Sequence, residues 1–328
     1  MVLHLRRTRK PLSLLTSVAI TLFVVEASAQ EAREWLDRMN RAVEELNYQG
    51  TFVHVLGAAA ETLHIVHRNH EGRISERIMS LDGVGREIIR QEDEVQCILP
   101  DRRVVLLEVR RDLSPLVAAL PSYSDELALH YDLKLYSTDR VAKRQTQMLE
   151  IKPRDEFRYG YMLWLDGDTA MPLKSQLTDE NGEIVEQILF TEIQLLDSVP
   201  ESAIAPTIDT TGFEWLRPPE SIELTSEVAP DVPWRAASLP GGFKLSVATK
   251  SPIAGSEYPV EHLVYSDGLA TVSVFIENPN TKAEVGDGFS NVGSTNAYSL
   301  TLRGRKVTAV GEVPRQTVRT IASSLVAE

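Results

Sequence analysis

Apolar positions recur along this chain with two different periods. Between Glu31 and Gly50, in "EAREWLDRMNRAVEELNYQG", Trp35, Leu36, Met39, Val43 and Leu46 fall on one stripe. Arg33, Asp37, Arg41 and Glu45 lie opposite. That spacing predicts an amphipathic helix with one face turned to a core. The period then changes. Short runs rich in Val, Ile, Leu and aromatics follow one another, among them "GTFVHVL", "ETLHIVHR", "GRISERIMSL", "EVQCILP", "RRVVLLEV", "TQMLEIKP", "YGYMLWLD" and "EIVEQILFTEIQL". Turn residues separate them, with hairpin signals at "HEG", Asp166-Gly167 and Asn181-Gly182. Strands at such short spacing imply an antiparallel meander. "VVLLEV" and "YMLWL" are apolar at consecutive positions, so both faces of the sheet should be covered. The first helix, with the region around "SDELALHY", is the expected cover.

Prolines at 200, 206, 218, 219, 230, 233 and 240 break the pattern and predict a linker over 200–237. From 238 to 328 four or five further strands follow, with a hairpin signal at Ser266-Asp267-Gly268. The chain closes with a helix beginning at Pro314, placed at the first helical position, whose Val318, Ile321, Ala322 and Leu325 share a face. This describes an α+β protein with a larger unit over 30–199 and a smaller α+β unit after the linker.

The first 29 residues carry a cationic start (Arg6, Arg7, Arg9, Lys10), the apolar run "PLSLLTSVAITLFVV" and the small residues Ala27-Ser28-Ala29. Charge, apolar core and small-x-small in that order predict a cleaved secretion signal, and its brevity favours a bacterial periplasm. No later segment approaches membrane-spanning length. Cleavage before Gln30 takes the formal net charge from −13 to −16, a poor match to nucleic acid. Residues 101–160 are the exception, with eleven basic against ten acidic side chains, where an anionic ligand is least repelled. Cys97 is the sole cysteine, which excludes an internal disulfide and, with Gln30 following the signal, a lipoprotein anchor. Inside an apolar strand it reads as an inert buried thiol.

Three of the seven histidines lie in "HIVHRNH" at 64, 67 and 70. On a helix they would converge on a metal. On the strand that this β-branched run predicts, His64 and His70 point one way and His67 the other, so no metal site is expected. Serine-elbow, zinc-protease, dinucleotide and phosphate-loop motifs are all missing, so neither catalytic residues nor a cofactor is assigned.

"RYGYMLWLDGDTAMPLKSQLTDENGEIVEQILFTEIQL" resembles the N-terminal domain of the MucB/RseB family of periplasmic sigma-factor regulators. "WRAASLPGGFKL", "VEHLVYSDGLATVSVFIE", "STNAYSLTLRG" and "VTAVGEVPRQTVRTIASSL" resemble that family's C-terminal domain. The resemblance implies an N-terminal antiparallel half-barrel, similar to the lipoprotein carriers LolA and LolB, with helices against its concave face. It also implies binding and no enzyme activity. The expected partner is the periplasmic part of a transmembrane anti-sigma factor, shielded from regulated proteolysis, with lipid or lipopolysaccharide as the releasing ligand. A periplasmic lipid or lipoprotein carrier is the alternative, and an envelope hydrolase a more distant one. Oligomeric state stays open. The apolar sheet and first helix make Trp35, Met39, Phe52, Ile65, Met79, Leu106, Met162 and Trp164 candidate lipid-pocket residues. Trp234, Phe243, Val264 and Tyr265 are candidates for partner contact.

Overall fold

The computed structural model describes residues 15–109, 121, 127–217, 232–251, 259–278 and 286–327, with side chains in the first helix from Gln30 onward. That helix, Leu15–Glu45, runs through the signal region into the expected amphipathic segment. Among the described residues no helix is long and apolar enough to cross a membrane.

Six strands follow the helix: β1 (Asn47–Leu56), β2 (Ala59–His70), β3 (Arg73–Ser80), β4 (Glu87–Gln91), β5 (Glu94–Leu99) and β6 (Val104–Val109). After the short helix Leu127–His130 come β7 (Tyr131–Val141), β8 (Arg144–Pro153), β9 (Gly160–Asp166), β10 (Pro172–Thr178) and β11 (Ile184–Leu196). Each run is a meander, and β1 pairing with β11 joins them into one sheet. A three-residue strand, β12 (Glu214–Leu216), adds in parallel to the β6 edge and completes twelve strands. The expected antiparallel sheet is therefore present, with the first helix against it. Of "SDELALHY", residues 124–126 lie outside the described residues.

Hairpin chemistry follows the sequence in most places. Glu71 and Gly72 both take positive φ, as does Gly182 after Asn181. At Asp166-Gly167 it differs: the left-handed residue is Ala170, while Asp166 Oδ1 accepts hydrogen bonds from the Thr169 backbone N–H and hydroxyl at 3.0 and 2.9 Å. Gly50 lies beyond the end of the helix, which stops at Glu45. It sits inside β1, where a Cβ would come within 2.6 Å of the Glu192 carbonyl oxygen and 3.0 Å of the Phe190 ring.

The smaller sheet comprises β14 (Lys244–Ser251), β15 (Val260–Ser266), β16 (Thr271–Glu277), β17 (Gly288–Val292), β18 (Thr295–Leu302) and β19 (Arg305–Gly311), in the order β14-β15-β16-β19-β18-β17. The C-terminal helix Arg315–Ser323 packs on it through Val318, Ile321 and Ala322, all fully buried. Pro314 is the residue before that helix, with ψ 149°, one position earlier than the pattern suggested. Leu325 belongs to a two-stranded ribbon of β13 (Trp234–Ala236) and β20 (Leu325–Ala327).

The proline-rich stretch starts as packed chain. Val199 and Ile204 are buried against Val66, Ile89, Ile98 and Val105 on the convex face of the large sheet. Arg68 Nε donates to the Val199 carbonyl at 3.0 Å, Arg77 to the Ala205 carbonyl at 2.9 Å, and the Thr207 N–H to buried Glu87 at 2.8 Å. Chain beyond Val199 therefore packs against the large sheet as far as β12. This second layer explains why β6 is apolar on both faces.

Candidate functional site: the hollow of the large sheet and the junction between the sheets

The helix fills part of the hollow. Ala32, Leu36, Met39 and Val43 repeat at helical spacing and are fully buried against Tyr48, Phe52, Ile65, Leu149, Leu163 and Phe190. Residues paired across strands share a face. The register therefore runs one concave row through Ile65, Ile78, Ile88, Cys97 and Leu106. Ile65 and Ile78 are buried, whereas Ile88, Cys97 and Leu106 are only half-buried. The hollow is closed at the helix and leaves an apolar strip on β4, β5 and β6. Cys97 faces this strip and is half-buried, where its strand predicts a buried thiol. Arg90 lies two residues beyond Ile88 on the same face and is likewise half-buried.

A polar row runs beside the apolar one. His67 Nδ1 is 2.8 Å from Glu76 Oε1, and its Nε2 is 3.3 Å from the Glu44 carbonyl at the helix end. Its ring stacks on Tyr48 at 4.7 Å with 6° between planes. Burial, then the Glu76 charge, raises the Tyr48 hydroxyl well above its ordinary range. His64 faces the other way, 3.2 Å from the Thr51 hydroxyl, and His70 is exposed. The three rings are thus divided as strand alternation requires. Among the described residues no group of three or more His, Cys, Asp or Glu is placed to hold a metal.

The candidate pocket residues do not form one cavity. Met39, Phe52 and Ile65 are packed core under the helix. Trp35 is half-buried at the helix edge, with the Arg38 guanidinium 4.4 Å from its ring. It lines a polar recess of about 510 Å³ with Lys143, Arg144, Thr146 and Asp166. Burial opposes ionisation of Asp166, but Arg144 and Thr169 outweigh it and hold the carboxyl below its usual range. Met79 is paired with His64 and so lies on the convex side. Met162 and Trp164 alternate with the buried Leu163 and Leu165 and face away from the hollow. There the Trp164 ring is covered by Lys174 Nζ at 3.9 Å, and its Nε1 donates to Asp139 at 2.9 Å. Leu106 alone of the eight remains on the half-covered strip.

The partner candidates are also mostly interior. Trp234, Phe243 and Tyr265 belong to the core of the smaller sheet, and the Tyr265 hydroxyl accepts from the Ala236 N–H at 2.8 Å. Val264 is half-buried on β15.

Two clusters missed by sequence reasoning join the sheets. Arg158, from the loop between β8 and β9, is fully buried and pairs with Asp267 of the smaller sheet at 2.8 Å and with Asp155 at 3.1 Å. It also donates to the Gly241 carbonyl, and its guanidinium lies 5.5 Å from the Tyr131 ring and 5.3 Å from Phe243. Tyr131 donates to Asp267 at 3.3 Å, and burial pushes its hydroxyl far up. In the second cluster His54 Nε2 meets Glu186 Oε1 at 2.7 Å, and Ser294 links Glu186 to Glu312. Beside it Asn296 donates to the Tyr159 hydroxyl at 2.9 Å, and Thr317 donates to the Phe157 carbonyl at 2.6 Å. A junction with a buried ion pair and convergent side-chain hydrogen bonds holds a defined arrangement of two sheets. Together with an apolar strip left half-covered, this arrangement is suited to binding.

The MucB/RseB N-terminal domain model matches residues 31–208, and the MucB/RseB C-terminal domain model matches residues 228–326. The chain belongs to the MucB/RseB family. It is 36% identical over 324 residues to the sigma factor AlgU regulatory protein MucB of Pseudomonas aeruginosa, covering 95% of this chain and 96% of that one. The sigma-E factor regulatory protein RseB of Escherichia coli K12 is 26% identical over 310 residues, 93% of each chain. Among solved structures, the complex of P. aeruginosa MucA and MucB superposes with TM-score 0.70 at 32% identity, covering 91% of this chain and 99% of that one. A crystal structure of MucB gives TM-score 0.58 at 32% identity, over 91% of this chain and 98% of that one. These relatives are sigma-factor regulatory proteins, as the resemblance of the sequence implied.

Proposed function

We propose that this protein is a periplasmic negative regulator of an envelope-stress sigma-factor pathway. In this reading it binds the periplasmic part of a transmembrane anti-sigma factor, shields it from regulated proteolysis, and releases it when lipid or lipopolysaccharide binds. The observation that carries the reading is the likeness to MucB in complex with MucA, which extends over both sheets. The signal-like N-terminus supports the compartment.

The half-covered strip of Ile88, Cys97 and Leu106 supports the lipid step. Burying a methylene contributes about 0.8 kcal/mol, so a chain of about twelve carbons offers roughly 10 kcal/mol before ordering costs. Much of that is available in a membrane as well, so mislocalised lipid is the species that binds. Arg90 on the same face suits an anionic headgroup. Arg110 and Arg111, part of the basic stretch, lie outside the described residues.

A column bearing the anti-sigma periplasmic domain should retain the purified protein in lipid-free buffer, and lipopolysaccharide should elute it. Failure to be retained contradicts the proposal. Transfer of acylated protein from vesicles to an acceptor would favour the carrier reading instead.

A further inference from the structure

Across the junction, two carboxyl groups share a single hydroxyl. Ser294 Oγ lies 2.8 Å from Glu186 Oε2 of the large sheet and in hydrogen-bond contact with Glu312 Oε1 of the smaller one. A serine hydroxyl has one proton to donate. Two ionised carboxylates facing it would leave one contact as oxygen against oxygen with no hydrogen between, and would set two like charges side by side. Both contacts are satisfied only when a carboxyl supplies a second proton. Glu186 already accepts from His54 at 2.7 Å, so the proton belongs on Glu312, which then donates to Ser294 while Ser294 donates to Glu186.

We propose that this His54–Glu186–Ser294–Glu312 chain is a proton-dependent clasp between the two sheets, closed when Glu312 is protonated and loosened when it ionises. Its surroundings favour that behaviour. Leu56 packs directly on the backbone of Gly293, which has φ +58°, so the hairpin carrying Ser294 is seated on the end of β1. Ser294 itself is 3% exposed. Glu312 as a whole is exposed, so solvent reaches it and can exchange its proton, while the hydroxyl that meets its carboxyl is buried.

The charges facing the cluster come from several elements. His54 is on β1, Glu61 on β2 and Glu186 on β11. Tyr159 and Tyr161 flank Glu312 from β9 and the loop before it, the Asp179–Glu180 turn lies near Tyr159, and Asp267 acts on Tyr161. Burial and then the Glu186 charge, against the pull of Ser294, push Glu312 up to about 7. The Glu186 hydrogen bond raises His54. Burial opposes ionisation of Glu186, but His54 and Ser294 outweigh it and lower the group.

The signs agree. The raised Glu312 contributes stability below its ordinary value of 4.5 and loses it as pH rises through about 7. The raised His54 contributes below 6.5 and loses its share as pH rises through its folded value. The lowered Glu186 contributes above 4.5 and loses that only in stronger acid. The clasp is tightest in mild acid and weakens into the alkaline range.

Spin labels at Glu92→Cys and Ser290→Cys, in a Cys97→Ser background, report the separation of the sheets by electron–electron resonance. Between pH 5.5 and 8.5 the short-distance population should fall relative to the long one, with a limit of about tenfold per pH unit for one proton. Glu312→Gln, whose amide donates at every pH, should abolish most of that shift and leave only the smaller share that His54 contributes. Ser294→Ala should broaden it even at pH 5.5. An unchanged wild-type distribution overturns the proposal, as does Glu312→Gln shifting as far as wild type, or Ser294→Ala behaving as wild type. The measurement uses no partner or lipid, so its failure leaves the regulatory reading standing.

Discussion

Replacing Arg158 with Met keeps most of the side-chain volume but removes a guanidinium that is 0% exposed and paired with Asp267 at 2.8 Å. Asp267 is then left buried without its cation. Removing one member of a buried pair typically costs about 3–5 kcal/mol. Here the lower end applies, because Asp267 Oδ1 keeps backbone donors at Leu269 and Ala270, at 2.9 and 2.6 Å. A loss of about 3 kcal/mol at roughly 2–4 °C per kcal/mol lowers Tm by about 6–12 °C. Scanning calorimetry measures this directly and also shows whether the two sheets, once uncoupled, melt separately. A cycle of Arg158→Met, Asp267→Asn and the double variant should give a coupling of about 2 kcal/mol or more. A Tm within about 2 °C of wild type, or a coupling below about 0.5 kcal/mol, would refute the view that this pair ties the sheets together.

Met39→Ala, at a fully buried position under the helix, should cost about 2–5 kcal/mol by urea denaturation, because the hollow cannot collapse onto the lost side chain. Gly293→Ala places a methyl against Leu56 in a left-handed backbone and should lower Tm by several degrees, with partial recovery when Leu56 is also made Ala. His67→Ala removes the partner of buried Glu76 and should cost at least about 2 kcal/mol, whereas exposed His70→Ala should stay within about 0.5 kcal/mol. Equal effects at the two histidines would contradict the assigned strand faces.

Where a local rule decides the outcome, the structure can be read from the chain. The period of Leu36, Met39 and Val43 locates the helix, the glycines at 72 and 182 mark turns, and alternation separates His67 from His64 and His70. What depends on distant chain segments is not visible locally. Val199 and Ile204 look like isolated apolar residues in proline-rich linker, yet they complete the convex layer. Ala142 and Lys143 both take positive φ without a glycine or asparagine to announce the turn. Large apolar side chains such as Phe52 and Tyr265 suit a pocket and a core equally well, and here they fill cores. Arg158, Glu186 and Glu312 look like ordinary surface charge until the sheets are brought together. The candidate site was legible as a hollow, but the junction beside it was not.

In the proposed regulatory function, partner and lipid oppose each other on the same protein. Titration calorimetry of the purified chain with the anti-sigma periplasmic domain, with and without lipopolysaccharide, measures that opposition. Lipopolysaccharide should weaken partner binding by some factor, and saturating partner should weaken lipopolysaccharide binding by the same factor. Partner affinity that does not change with lipopolysaccharide, although each ligand binds alone, would contradict the account.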